Sequence, residues 1–133
     1  MLRRILLACL LGLFLTTVLS PSAHAAWPRD PYHGGVPIAT GSSSQYLDTA
    51  VSDGAGGVIF AWSEVRGADE DIYVQRISAS GVPLWTANGV LVCNAAGMQY
   101  GPELLPDLAG GAIVAWSDLR GASSDVYAQR VNA

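Results

Sequence analysis

One phrase occurs twice in this chain, and the repetition limits the possible folds more strongly than any other feature. Trp62 and Trp116 lie 54 residues apart, and the same offset aligns residues 53–77 with residues 107–131. Fifteen of these 25 aligned positions are identical, far more than shared composition would give. A period near 50 residues is typical of supersecondary units that stack on their neighbours. The sequence therefore predicts two like units.

Each unit has the residue pattern of β-strands. Apolar residues alternate with polar ones or form short runs bounded by glycine, and no stretch shows a helical period of sufficient length. A shared pair of glycines follows the first strand of each unit, where a tight turn needs positive φ. The predicted strands are residues 47–52, 58–64 and 71–77 in one copy and 103–106, 112–118 and 125–131 in the other, with a fourth type of strand at 89–93 and its counterpart at 35–39.

Four short antiparallel strands per unit are the composition of a β-propeller blade. The predicted fold class is therefore all-β, with two four-stranded antiparallel blades that form an incomplete propeller. A blade buries its faces only against other blades, and propellers close with about four to eight of them. Two blades alone would leave apolar faces in water, so further blades are expected.

The order of the strands indicates where further blades would come from. The chain starts with the fourth type of strand, at 35–39, and stops after the third type, at 125–131. The early strand could complete the sheet of the last repeat, either in the same chain or in a neighbouring subunit. One hypothesis is a closed ring of several chains, most simply about three. The other is that the chain is a fragment of a longer array.

The repeated phrase also resembles a known family. Residues 116–121 read WSDLRG and residues 125–130 read DVYAQR, and the first copy reads WSEVRG at 62–67 and DIYVQR at 71–76. This is similar to the TolB-type, WD40-like propeller repeat, in which an aromatic residue precedes Ser-Asp-Arg, a glycine and an Asp-Ile-Tyr strand. One extra residue separates the acid from the arginine here. The resemblance implies the propeller fold, and no function is carried over from it.

The N-terminal residues have the pattern of an export signal. Arg3 and Arg4 precede an apolar run at 5–19, and small residues lead to Ala25. This pattern predicts a helical secretory signal peptide over residues 1–25, cleaved after Ala25. The remaining 26–133 would hold two repeats, at about 35–88 and 89–133. The expected location is secreted, periplasmic or in the cell envelope, without membrane contact after cleavage.

Charge and cysteine content limit the classes of possible partner and the disulfides that can form. The chain has seven basic residues and eleven acids, and two of the basic residues lie within 1–25, where no acid lies. This acidic balance argues against nucleic acid or an anionic membrane surface as a partner. Cys93 is the only cysteine after residue 25, so no disulfide can form within one exported chain. A buried, unreactive thiol is expected, with an intermolecular disulfide as the alternative.

The repeated aromatic residues and arginines are the candidate ligand-binding residues. Aromatic faces beside polar side chains suit sugar rings, so a lectin formed by ring oligomerisation is one alternative; the other reading places the rings in the core. Each arginine is expected to pair with the acid across its hairpin, Arg66 with Asp71 and Arg120 with Asp125. The candidate residues are Trp62, Arg66, Tyr73, Trp116, Arg120 and Tyr127.

The other repeated residues are interpreted as structural. They comprise the acids and glycines of the turns and the polar end of the third strand: Asp53, Gly57, Asp71, Gln75, Arg76, Asp107, Gly111, Asp125, Gln129 and Arg130. Alternation along the strand places each glutamine with the tyrosine and each arginine with the aliphatic residues, so one of the two is expected between blades.

An enzyme is not predicted. His33 is the only histidine after residue 25, which leaves no pair for zinc and a poor case for a Ser-His-Asp arrangement. Glu64 and Asp118 recur in both copies, as scaffold residues do, so a sialidase-like glycosidase is only a third alternative. No metal or cofactor is expected. The predicted function is a non-catalytic binding or structural module whose partners are copies of itself or further repeats, with glycans or envelope proteins as other candidates.

Overall fold

The described part of the chain is built of seven strands. The computed structural model describes residue 27 and residues 34–133, so the signal peptide predicted for 1–25 lies outside the described residues. Within this part there is no helix, and so none long and apolar enough to cross a membrane. The strands are β1 (Ser44–Ser52), β2 (Val58–Arg66), β3 (Asp69–Ile77), β4 (Val90–Cys93), β5 (Gln99–Pro106), β6 (Ala112–Asp118) and β7 (Asp125–Val131).

These strands form two antiparallel sheets, which confirms the all-β prediction. The first sheet has the order β1-β2-β3-β4, and the second has the order β5-β6-β7. β1 and β5 begin earlier than the sequence predicts. Their pairing continues past an irregularity in register, between Leu47 and Thr49 in β1 and between Tyr100 and Glu103 in β5. In β1, the extra residue Asp48 accepts a hydrogen bond from the backbone N–H of Ser63 in β2 at 3.0 Å.

The second sheet has three strands among the described residues, so its predicted fourth strand is not supplied within this chain, and completion by a neighbouring subunit stays a prediction. Residues 35–39 are described but form no strand. They lie against the first sheet, where Ile38 and Ala39 line a cavity of about 180 Å³ together with Phe60 and Trp62. β7 belongs to the other sheet of the stack, so this segment cannot reach the outer edge of β7 while it covers the first sheet.

Strand alternation gives each sheet two chemically different faces. The indole face carries Phe60, Trp62, Tyr73 and Gln75 in the first sheet and Val114, Trp116, Tyr127 and Gln129 in the second. The aliphatic face carries Ile59, Ala61, Ile72 and Val74 in the first sheet and Ile113, Ala115, Val126 and Ala128 in the second. Side chains at successive positions of a strand point to opposite sides, so these two sets are separate surfaces.

The sheets stack front to back. One apolar cluster contains Ala61, Ile72 and Val74 from the aliphatic face of the first sheet and Val114 and Trp116 from the indole face of the second. Unlike faces therefore meet, and each sheet points the same way along the stack. After this contact one face of each type is still on the outside of the pair. The first sheet has its indole face outward, and the second sheet has its aliphatic face outward.

The turns after β1 and β5 explain the paired glycines. Gly56 and Gly110 have φ of 84° and 91°, which a residue with a side chain rarely adopts. The second glycine of each pair serves a different purpose. A Cβ on Gly57 would collide with the carbonyl of Ile77, and a Cβ on Gly111 would collide with that of Val131. Only the first glycine thus meets the predicted need for positive φ, while the second allows close approach of the backbone.

Candidate functional site

A cluster of four side chains lies at the same place in both sheets. In the second sheet, Trp116 Nε1 donates a hydrogen bond to Asp118 Oδ2 at 3.0 Å. Arg120 holds the same carboxylate with Nε and Nη2 at 2.9 and 2.6 Å, and its guanidinium lies 3.8 Å from the centre of the Tyr127 ring. The carboxylate of Asp118 thus accepts hydrogen bonds from both Trp116 and Arg120, and the guanidinium of Arg120 also covers the Tyr127 ring.

The first sheet repeats this arrangement with a longer acid. Trp62 Nε1 donates to Glu64 Oε2 at 3.1 Å, and Arg66 Nε donates to Glu64 Oε1 at 2.9 Å. The Arg66 guanidinium lies 4.0 Å from the centre of the Tyr73 ring. The indole and phenol rings stack at 6.0 Å, close to the 6.3 Å between Trp116 and Tyr127. The repeated phrase therefore encodes one local structure.

The predicted ion pairs across the hairpins are wrong. Arg66 binds Glu64 rather than Asp71, and Arg120 binds Asp118 rather than Asp125. Glu64 lies two residues before Arg66 on the same face of β2, and Asp118 ends β6 two residues before Arg120, so each guanidinium reaches its acid by folding back. Glu64 and Asp118 are thus the centres of the clusters. The recurrence of an acid two residues before each arginine was the signal that could have shown this.

The buried acids of these clusters are held ionised. Hydrogen bonds from Arg120 hold the pKa of Asp118 well below its usual range, although burial opposes this. Burial also acts against the charge on Glu64, but the hydrogen bonds from Arg66 and Trp62 outweigh it and lower that pKa. Asp71 behaves in the opposite way, because burial raises its pKa and Arg66 only partly compensates. The acids paired with Arg66 and Arg120 are therefore ionised at neutral pH.

A second repeated cluster holds the turns. Asp53 accepts hydrogen bonds from the backbone N–H groups of Ala55 and Gly57 and from Arg76 Nε at 2.9 Å. Asp107 does the same in the second sheet through Ala109, Gly111 and Arg130. Burial opposes the charge of Asp53, but these bonds outweigh it and lower its pKa; for Asp107, the backbone bond from Ala109 has the largest part in lowering the pKa.

These turns also border a cleft of about 560 Å³ at one end of the stack, which both sheets line. Its charged side chains, Asp53 and Arg76, are bonded to each other at 2.9 Å. The aspartate and arginine therefore join the turn to the third strand.

Gln75 and Gln129 occupy matching positions with different surroundings. Gln75 is fully buried, donates to the carbonyl of Thr86 at 2.9 Å and accepts from the backbone N–H of Trp85 at 3.1 Å. It thereby fastens the connection that leads from β3 to β4. Gln129 is exposed and, among the described residues, donates only to the neighbouring carbonyl of Arg130. The glutamine shares the indole face with the tyrosine in both sheets, as alternation predicts.

Cys93 lies at the junction of the two sheets. Its Sγ is 3.3 Å from Arg120 Nη2 and 3.8 Å from Asp118 Oδ2, and the residue is half-buried. The thiol is therefore less buried than expected. β4 belongs to the first sheet but touches the cluster of the second, so this contact marks where a fourth strand meets the next sheet in the stack.

The candidate ligand-binding residues do not form one open pocket. Trp62, Trp116 and Tyr73 are buried, whereas Tyr127 is 36% exposed, with one ring face covered by Arg120. A sugar ring needs an accessible aromatic face, so the first three residues suit core packing better. Sugar binding stays a prediction that a glycan array can test. In the described part of the chain, no three histidine, cysteine, aspartate or glutamate side chains are grouped to hold a metal ion.

One unexplained apolar surface is the aliphatic face of the second sheet. Ile59 and Ile72 are fully buried in the first sheet, whereas their counterparts Ile113 and Val126 are 40% and 80% exposed. We define the open face as Leu105, Ile113, Val126 and Ala128 on this side of the second sheet. Contiguous exposed apolar surface marks sites of association. The open face is the candidate functional site.

The open edge of β7 borders this face. β7 pairs with β6 on one side, and no described residue forms a strand on its other side. Its counterpart β3 pairs with β4 at that edge. Unpaired backbone N–H and C=O groups along an edge can bind another strand. The sequence predicted exposed faces in general, and the structure identifies which face and which edge are exposed.

Comparisons with models of known protein families, with curated proteins and with solved structures gave no match to this chain.

Proposed function

We propose that this chain is an exported, non-catalytic repeat module of the β-propeller type, which serves as a binding or structural part by stacking on further copies of itself. The observation that carries the proposal is the contrast between Ile72 and Val126. These residues have the same place in the repeat, yet one is fully buried by a neighbouring sheet and the other is 80% exposed. Another sheet on the open face would remove this difference.

Front-to-back stacking supports the proposal because it can continue. The two described sheets join through an aliphatic face and an indole face. The outer sides of the pair are again one aliphatic face, on the second sheet, and one indole face, on the first. Heterologous contacts of this kind generate rings when the rotation closes and open filaments when it does not. A second copy could therefore extend the stack with the same type of contact that joins the two sheets here.

The β1 part of the outer indole face of the first sheet has room for such a partner, although Trp62 and Tyr73 are already buried. Leu47 lies opposite Trp62 in the β1–β2 register and exposes most of its side chain, and Ala50 beside it is also exposed. In the second sheet, Leu104 is the counterpart of Ala50 and packs against the apolar cluster between the sheets. The first sheet thus offers uncovered apolar surface at the positions that the second sheet uses for packing.

Sedimentation velocity tests the proposal. The full chain, leader included, is expressed in a bacterial host and purified from the periplasm, where N-terminal sequencing also tests cleavage after Ala25. We expect the folded protein to sediment as an oligomer. Val126→Asp should give the monomer, because a carboxylate on the open face would lose its hydration in the contact.

Leu108→Asp is the matched control for this experiment. Leu108 is 96% exposed but lies in the turn after β5, away from the open face, and its φ of 60° suits aspartate. This variant adds the same charge and should sediment like the unchanged chain. A stable, folded monomer of the unchanged chain across the accessible concentrations would overturn the proposal.

A further inference from the structure

The edge of β7 lacks the strand that its counterpart has. β3 pairs with β4, and the pairing places Ile72 opposite Cys93 and Val74 opposite Val90. At the offset of 54 residues, β4 corresponds to residues 36–39, which read VPIA against VLVC. The chain thus contains a second segment related to β4, and this segment forms no strand within its own chain.

That segment already lies where a fourth strand would lie. β4 is part of the first sheet, yet its Cys93 touches Asp118 and Arg120 on the indole side of the next sheet. Ala39, the counterpart of Cys93, lines a cavity with Trp62 on the indole face of the first sheet. Residues 36–39 therefore stand in front of the first sheet as β4 stands in front of the second.

Hydrogen bonds and contacts around the segment agree with this equivalence. The backbone N–H of Thr40 donates to Asn88 Oδ1 at 2.9 Å, which fixes the end of the segment. Gly41 lies beside Gln45, and its counterpart Ala95 accepts a hydrogen bond from Gln99, the counterpart of Gln45, at 3.1 Å. Gly41 and Ala95 thus both lie beside the glutamine of the first strand, although Gln45 Nε2 makes no hydrogen bond within the described residues and only β4 has a strand to pair with.

We infer that residues 36–39 of one copy form the fourth strand on the edge of β7 in a second copy. This inference rests on the proposed function and adds the partner of the open edge. In the proposed stack, the open face of the second copy covers the indole face of the first sheet of the first copy. This contact brings β7 of the second copy next to residues 36–39 of the first copy. The pairing would then follow that of β3 with β4, with Ala39 opposite Val126 and Val36 opposite Ala128. Pro37 fits this role because an outermost strand tolerates proline.

Disulfide trapping tests the inference. In a Cys93→Ser background, the full chain carries Ala39→Cys with Val126→Cys, since directly opposed residues of an antiparallel pair bring their Cβ atoms within reach of a disulfide. Mild oxidation with oxidised glutathione should give covalent dimers and higher multiples on a non-reducing gel, and reduction should return the single chain. Val36→Cys with Ala128→Cys tests the other end of the strand in the same way.

The control pair is Ala39→Cys with Gln129→Cys. Gln129 lies on the opposite face of β7 from Val126, so this pair should give few covalent dimers under the same oxidation. Each variant is also examined by sedimentation in its reduced form, and a pair that alters the reduced oligomer is replaced in the comparison by the pair at the other end of the strand.

The outcomes separate this inference from the proposed function. If the protein is an oligomer but neither cysteine pair crosslinks, strand donation is overturned, whereas front-to-back stacking still holds. A disulfide formed within single chains overturns donation by a second copy, because the segment would then reach β7 of its own chain. A monomer without crosslinks overturns both proposals.

Discussion

In the first sheet, β3 lies between β2 and β4 and is covered on both faces, whereas β7 in the second sheet has a strand on one side and water on much of its surface. The two strands read DIYVQR and DVYAQR over corresponding residues. Their clusters of tryptophan, acid, arginine and tyrosine have nearly the same geometry. The comparison shows that the repeat determines local structure, and that the next sheet in the stack determines burial.

The largest expected effect is a difference between two matched truncations. Ile72→Ala should lower the free energy of unfolding by about 2–5 kcal/mol, because it opens a cavity in the contact between the sheets. Val126→Ala should change the stability of the monomer by less than about 0.5 kcal/mol. Urea denaturation at low protein concentration measures both. Equal losses in the monomer would mean that the second sheet is covered within its own chain.

The two acid clusters should differ in strength by a smaller amount. Asp118→Asn should cost about 1.5–3 kcal/mol, because it weakens charge-assisted bonds to Arg120 and leaves that cation poorly compensated. Glu64→Gln should cost less, since Arg66 makes one bond to its acid where Arg120 makes several. Thermal denaturation at neutral pH compares the two variants. A larger loss of stability for Glu64→Gln than for Asp118→Asn would show that the number of bonds from the arginine does not decide the difference.

Gln75 and Gln129 should show the same difference between a buried and an exposed position for a neutral polar side chain. Gln75→Ala should cost about 1–3 kcal/mol, because it leaves the buried carbonyl of Thr86 and the N–H of Trp85 without their partner. Gln129→Ala should change stability by less than about 0.5 kcal/mol. Hydrogen exchange of the connection between β3 and β4 should increase in the first variant alone. An effect of similar size in both variants would contradict the difference in burial.

The smallest expected effect is in acid sensitivity. The folded pKa values of Asp53, Glu64, Asp107 and Asp118 are lowered, so the stabilisation they give is present above the unfolded values near 4 and is lost as pH falls toward the folded values. Asp71 opposes this slightly, because its pKa is raised. The denaturation midpoint should therefore decrease as the pH is lowered from about 6 to about 3.

Asp118→Asn is the variant that assigns this pH dependence. It removes the carboxylate of the second cluster, so its midpoint should fall less than that of the unchanged chain over the same range of pH. Glu64→Gln provides the comparison from the first sheet. A pH profile unchanged by both substitutions would show that these clusters do not carry the acid sensitivity.

Most of the strands could be predicted because their signals are local. The alternation around Trp62 and Trp116 and the glycines of the turns indicate antiparallel hairpins without any information from distant residues. Local signals could not place the fourth strand of the second unit in the same way. Residues 36–39 resemble β4, but pairing also requires an available edge, and the β7 edge lies on the far side of the stack.

The candidate site was harder to predict than the strands. The sequence indicated that apolar faces would be exposed, but Ile72 and Val126 have equivalent positions in the repeat, and no local signal distinguishes them. The ion pairs were misassigned because acids on both sides of each hairpin lie within reach of the arginine. Side-chain direction along β2 and β6 decides that choice in favour of Glu64 and Asp118.

The sequence by itself determined the two like units, their hairpins and the composition of their clusters, since these depend on residues close together in the chain or opposed in one hairpin. The tertiary structure decided that unlike faces meet, that the second sheet has three strands, and that the open face and the β7 edge are left uncovered. The physical reason is that burial of a sheet depends on what lies next to it, which identical strands cannot specify for themselves.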